Sequence, residues 1–142
     1  MVALASAKVL VIDDDADFLE WARMTLENAG YRVLAASTCT AGVAAARAER
    51  PEVIIVDLLM SPTDGFAACE ELRSAPETKC AGILVISAIG PKLHKRFSST
   101  DLGARLDVDG FMEKPVQPRD LIQRVNDMAL LAMSRRSSEG SG

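Results

Sequence analysis

Strand-like apolar runs alternate, five times along the chain, with stretches whose apolar residues recur every three or four positions. The first run, Lys8-Val9-Leu10-Val11-Ile12, stops at Asp13-Asp14-Asp15. A continuous β-branched run of this kind suits a strand covered on both faces; a strand with one wet face would alternate. From Asp17 the period changes. Phe18, Ala22, Leu26 and Ala29 share one helical face, Gly30 ends it, and Asp17 with Glu20 offers a capping box. The pattern then predicts a strand over 31–36, an alanine-rich helix over 40–50 ended before Pro51, and a strand over 52–56 that runs into Asp57. A loop carrying Pro62 and Gly65 follows, with a third helix from about Phe66 to Ser74, closed by Pro76. A fourth strand covers 83–86 and ends at Ser87, and a fifth covers 108–112, followed by Lys114-Pro115. Between Gly90 and Asp107 the pattern is hardest to read, and a helix within 92–103 is expected. Pro118 suits a first helical position and opens a last helix whose stripe is Leu121, Ile122, Val125, Met128, Ala129 and Ala132. Residues 1–6 read as an N-terminal extension, 7–133 as one domain, and the Ser/Arg/Gly-rich 134–142 as a flexible tail or linker.

Strands alternating with helices over short connections imply an α/β fold: a doubly wound, five-stranded parallel sheet with right-handed crossovers and helices on both faces. Length and composition agree with one globular domain, at 142 residues, 49% apolar and 25% charged. A net charge of −4 argues against a phosphate backbone as the main partner, so no direct nucleic-acid binding is expected. No apolar run approaches a membrane span and no secretory signal is evident, so a cytoplasmic protein is expected. Cys39, Cys69 and Cys80 are odd in number and lack a CxxC spacing, which suits small hydrophobes in a reducing compartment better than a disulfide set or zinc site.

Ligand chemistry in such a sheet sits at the carboxyl ends of the strands. The residues at those ends are Asp13 and Asp14, Asp57, Ser87 and Lys114. Three carboxylates at one edge repel unless cations intervene; one lysine and one divalent cation would neutralise them. All-oxygen ligation selects a hard ion, Mg²⁺ or alternatively Mn²⁺. Asp15 and Asp17, in contrast, read as helix-capping acids.

Four motifs in order, Val-Leu-Val-Ile-Asp13-Asp14-Asp15, Ile-Ile-Val-Asp57 with Asp64-Gly65, Val-Ile-Ser87-Ala88 and Phe111-Met-Glu-Lys114-Pro115, resemble the receiver domain of two-component response regulators, the chemotaxis-regulator type included, over about residues 7–132. The resemblance implies a (βα)5, flavodoxin-like fold. It implies that Asp57 accepts a phosphoryl group from a sensor histidine kinase or phosphotransfer protein. Asp13, Asp14, Asp57 and the backbone carbonyl of Leu59 would hold Mg²⁺. Lys114 and Ser87 would contact the phosphoryl oxygens, and Ser87 with Phe111 would form the switch. It further implies a cis Lys114–Pro115 bond, and an output face built from the fourth helix, fifth strand and fifth helix. That face would take a downstream protein partner or a phosphorylation-dependent homodimer. Such a domain is a phosphorylation-activated signalling module and not an enzyme with turnover, since it catalyses only its own phosphorylation and slow dephosphorylation. The chain departs from the family in placing Ser61 before Pro62 where a proline is usual, and in the 27 positions from Ser87 to Lys114.

Rival readings fit less well. A haloacid-dehalogenase-type enzyme needs a general acid two residues past its nucleophile, and Leu59 stands there. A flavodoxin-like cofactor binder needs a phosphate-cradling loop after the first strand, where Asp13-Asp14-Asp15 would repel phosphate. A pseudo-receiver that never takes phosphate is at odds with an intact acid set. Within signalling, a stand-alone regulator competes with a receiver module excised from a larger hybrid kinase or multidomain regulator. His94, beside Lys92, Lys95 and Arg96, reads as a solvated surface residue, Trp21 as packing, and Met128 and Met133 as core or dimer filler. The resemblance also implies that Leu59 and Ile89 flank the path of water to the acyl phosphate, and as apolar residues they are expected to prolong its lifetime.

Overall fold

The computed structural model describes residues 6–58, 62–88 and 107–140. The strands are β1 (Lys8–Ile12), β2 (Arg32–Ala36), β3 (Val53–Val56), β4 (Gly82–Ser87) and β5 (Gly110–Glu113). Between and after them lie α1 (Ala16–Asn28), α2 (Cys39–Glu49), α3 (Pro62–Ser74) and α4 (Pro118–Gly140). All strand pairs are parallel, in the order β2-β1-β3-β4-β5. The doubly wound arrangement expected from the pattern is therefore the one observed. The helix expected within 92–103, and the positions Leu59, Ser61 and Ile89, lie outside the described residues.

Period 2 along the central strands divides the core in two. Leu10 and Ile12, Ile54 and Val56, and Ile83 and Val85 pack with α2 and α3 residues such as Val43, Ala46, Ala68 and Leu72. Their neighbours Val9 and Val11, Val53 and Ile55, and Leu84 and Ile86 pack with Ala22 and Leu26 of α1 and Leu121, Val125 and Ala129 of α4. Each of these strand residues is at most 1% exposed. Burial of one such side chain is worth roughly 1.5–3 kcal/mol, so the central strands anchor the sheet edge on which the site stands.

Strand β5 begins at Gly110 where the pattern places its start at 108, and three further differences from the pattern have a clear physical cause. Helix α1 begins at Ala16, because Asp15 and not Asp17 is its N-cap; the Asp15 carboxylate accepts from the N–H groups of Asp17 (3.0 Å) and Phe18 (3.3 Å). Helix α3 begins at Pro62 and not near Phe66, because proline at a first helical position loses no hydrogen bond. Gly65 then falls inside the helix, where a Cβ would lie 2.8 Å from Leu58 Cδ2, so the residue is small to let α3 close over Leu58. Residues 134–140 are helical instead of a flexible tail. Arg136 donates to Glu52 (2.7 Å) and to the carbonyls of Arg50 and Pro51, and Glu139 accepts from Lys79 (2.6 Å) and Cys80 (2.7 Å). These contacts supply what a polar sequence cannot supply locally. The end of α1 follows the expectation: Gly30 takes φ 101°, and the N–H groups of Gly30 and Tyr31 close on the carbonyls of Glu27 and Leu26.

At the amino-terminal edge of the sheet, Asp109 receives Arg135 Nη2 (2.6 Å) and Nη1 (3.1 Å), Arg73 Nη2 (3.0 Å) and the Ile83 N–H (2.9 Å). Arg73 also donates to the carbonyls of Lys79, Ala81 and Asp107. Among the described residues no helix is long and apolar enough to cross a membrane.

Candidate functional site

The backbone ladder carries past the strands to deliver the site residues. The Asp13 N–H donates to the Ala36 carbonyl and the Asp57 N–H to the Ile12 carbonyl, each at 3.0 Å. The two aspartates are thereby fixed side by side at the ends of β1 and β3. At the far side of the sheet, Ser87 pairs in register with Glu113, and the Lys114 N–H donates to the Ser87 carbonyl at 2.8 Å. The Lys114–Pro115 bond is cis, as the resemblance implied.

The side chains converge as the strand-end rule requires. Lys114 Nζ donates to Asp13 Oδ2 (2.8 Å) and to Asp57 Oδ2 (3.2 Å). Carboxylate oxygens of Asp13, Asp14 and Asp57 lie within 4.8 Å of one another. Asp13 (1% exposed), Asp57 (5%) and Ser87 (4%) are buried, while Asp14 is exposed. The cluster therefore has a buried floor and a wet rim. Three carboxylates against one ammonium leave an excess of two negative charges, and no histidine nitrogen or thiolate belongs to the group. That donor set fits a hard divalent cation such as Mg²⁺.

The electrostatics follow from burial. Loss of water raises the Asp13 pKa and the Asp57 charge adds to this, while Lys114 and the Asp15 N–H (2.9 Å to Asp13 Oδ1) work against it. Burial alone would lower the Lys114 pKa, but the hydrogen bond to Asp13 and the charges of Asp13 and Asp57 outweigh it, and the pKa is raised. Lys114 therefore stays cationic.

The structure also brings in a residue the sequence placed only in the apolar stripe of α1. Lys114 Nζ lies 4.2 Å from the centroid of the Phe18 ring, which contacts Trp21 at 5.7 Å between centroids. Phe18, Trp21, Ala88, Lys114, Pro115 and Val116 line an apolar hollow of about 530 Å³ beside the acids. The one available signal was that Phe18 sits three residues past the Asp15 cap, on the turn nearest the acidic tract. Phe111 stands in register with Val85, two residues before Ser87 on β4, and is 39% exposed.

Comparison with known proteins agrees with this geometry. The family model described as Response regulator receiver domain matches residues 9–126. The chain is 32% identical over 130 residues to the alkaline phosphatase synthesis transcriptional regulatory protein PhoP of Bacillus subtilis, covering 92% of this chain and 49% of that protein. It is 28% identical over 120 residues to Protein PilH of Pseudomonas aeruginosa, covering 84% of this chain and 95% of that protein. The chain thus spans about half the length of the curated transcriptional regulators it matches, and nearly all of PilH. Among solved structures, the chemotaxis response regulator CheY4 of Vibrio cholerae superposes with a TM-score of 0.72 at 30% identity, over 84% of this chain and 98% of that one. Receiver domains bind Mg²⁺ at an acidic cluster of the kind formed here by Asp13, Asp14 and Asp57. A parallel sheet with its acids and lysine gathered at the carboxyl edge, and a family match across 118 consecutive positions, lead to one conclusion: the chain belongs to the response regulator receiver domain family.

Proposed function

We propose that Asp57 is the phosphoacceptor of this domain and takes its phosphoryl group from a phosphohistidine of a sensor histidine kinase or phosphotransfer protein. The observation that carries the reading is the Lys114 ammonium held between Asp13 and Asp57, within a cluster that still lacks two positive charges. Phosphoryl transfer asks little of a protein beyond alignment and neutralisation of the equatorial oxygens. An Asp57 carboxylate oxygen attacks phosphorus in line with the P–N bond. The P–O bond forms as the P–N bond breaks, and the departing imidazole keeps the electron pair and takes up a proton. Asp13, Asp14 and Asp57 would hold Mg²⁺, which supplies two positive charges for the transferring group. Lys114 neutralises a further oxygen and the Ser87 hydroxyl donates to one.

The chain then acts as a signalling module that modifies only itself, and works in the cytoplasm where such kinases deliver phosphate. Movement of Ser87 toward the phosphoryl group opens space for the Phe111 ring, which changes the face formed by β5 and α4. Phe111 has no hydroxyl, so a downstream partner reads shape there. Burying most of the ring is worth ~1.5–3 kcal/mol, a shift of about tenfold or more in a two-state population. The net charge of −4 gives no reason to assign nucleic-acid binding to these 142 residues.

Incubation with a small phosphodonor and Mg²⁺, followed by intact mass, tests the assignment. One added phosphate on the wild type, absent from Asp57→Ala, is the expected result. Equal phosphate uptake by Asp57→Ala removes Asp57 from the role.

A further inference from the structure

We propose that Phe18 is a positioning residue for phosphoryl transfer, its ring face holding the Lys114 ammonium at the acceptor; the proposal rests on the receiver reading above. The ammonium lies 4.2 Å from the ring centroid, inside the ~6 Å range in which a cation is attracted to the negative face of an aromatic ring. Lys114 is only 15% exposed in its side chain, so this attraction acts where water screens it little.

The ring is itself held in place. Phe18 is the third residue of α1, and its N–H donates to the Asp15 carboxylate, which also receives the Asp17 N–H. The Asp15 N–H in turn donates to Asp13 Oδ1. The same aspartate run therefore supplies two members of the acid cluster and the cap that sets the Phe18 backbone. Trp21, one turn on, backs the ring at an interplanar angle of 41°.

The ring matters because of what the ammonium would otherwise do. Two of its three N–H donors are taken by Asp13 and Asp57, and the nearer is Asp13, at 2.8 Å against 3.2 Å. Collapse of the ammonium onto Asp57 would tie up the oxygens that must attack phosphorus. A third attractive surface that carries no formal charge holds the cation near both acids without adding to their negative charge. An aliphatic side chain of similar size would exclude water there but would not attract the cation.

The test compares Phe18→Leu, Phe18→Tyr and a series with Phe18 replaced by increasingly fluorinated phenylalanines, which keep the shape and drain the ring face of negative charge. Two quantities are read: the rate of phosphate uptake from acetyl phosphate with Mg²⁺, and the proton shift of the Lys114 ε-methylene in the metal-free protein, which a ring beneath it displaces. The expected results are an uptake rate lowered about 3–10-fold in Phe18→Leu, a graded fall along the fluorinated series, and retention in Phe18→Tyr. The ε-methylene shift should move toward its unstructured value in Phe18→Leu alone. Phe18→Leu as fast as the wild type, or a fluorinated series with no gradient, overturns the proposal. A wild type that takes up no phosphate defeats the receiver reading, whereas normal wild-type uptake without a fluorine gradient defeats the Phe18 assignment alone.

Discussion

The two edges of one sheet each carry aspartate among charged partners, part-buried Asp109 at one and buried Asp13 and Asp57 at the other, and their chemistry is opposite. At the amino-terminal edge, one carboxylate, Asp109, meets two guanidinium groups and a backbone N–H. Burial works to raise its pKa, but the Arg135 hydrogen bonds, the Ile83 N–H and the Arg73 and Arg135 charges prevail, and the pKa is lowered. At the carboxyl edge, three carboxylates share one ammonium, and the Asp13 pKa is raised. A part-buried acid that is fully supplied with donors joins chain segments. An acid cluster short of positive charge can take up a cation. Charge balance, and not burial, separates the joint from the site.

The same isosteric change should therefore have opposite signs at the two edges. Asp109→Asn removes the charge that balances Arg73 and Arg135, and is expected to destabilise the protein by about 2 kcal/mol, read by denaturant unfolding. A loss below a few tenths would mean that the amino-terminal cluster is ornamental. Because the folded pKa of Asp109 is lowered, its stabilisation is present above the ordinary carboxylate value and is lost as pH falls through the folded one. The stabilities of wild type and Asp109→Asn should accordingly converge below about pH 4. A gap that persists in acid contradicts the ionic account.

Asp57→Asn should instead stabilise the metal-free protein by about 1–2 kcal/mol, since it relieves repulsion among oxygens lying within 4.8 Å. Destabilisation by this change would show that Lys114 already balances the cluster.

Mg²⁺ gives a somewhat smaller effect. At ten times its Kd it should stabilise the wild type by about 1.4 kcal/mol by mass action. Asp109→Asn should gain the same increment and Asp57→Asn clearly less, by thermal unfolding with and without the ion. An equal increment in all three proteins would place the ion elsewhere.

Much of this molecule is legible in the chain itself. Strand runs that stop at Asp13, Asp57 and Ser87, and a fifth followed by Lys114, place the site by rule. A parallel sheet brings all carboxyl ends to one edge, and direction and periodicity are written locally in the chain. The start of α3 at Pro62 is not legible locally, because proline and glycine read as loop, while packing over Leu58 makes the glycine a requirement of the helix.

What only the tertiary structure decided is which distant groups meet. Lys114 finds Phe18 across 96 positions, Asp109 finds Arg73 across 36 and Arg135 across 26, and Arg136 finds Glu52 across 84. In sequence, Phe18 is one apolar residue of a stripe, and 134–140 is a polar run with the composition of a linker. An ammonium over a ring and a guanidinium on a carboxylate depend on distances of a few ångströms between side chains on different elements. Those distances are set by how helices seat on a sheet, and the local pattern that makes each helix does not contain them.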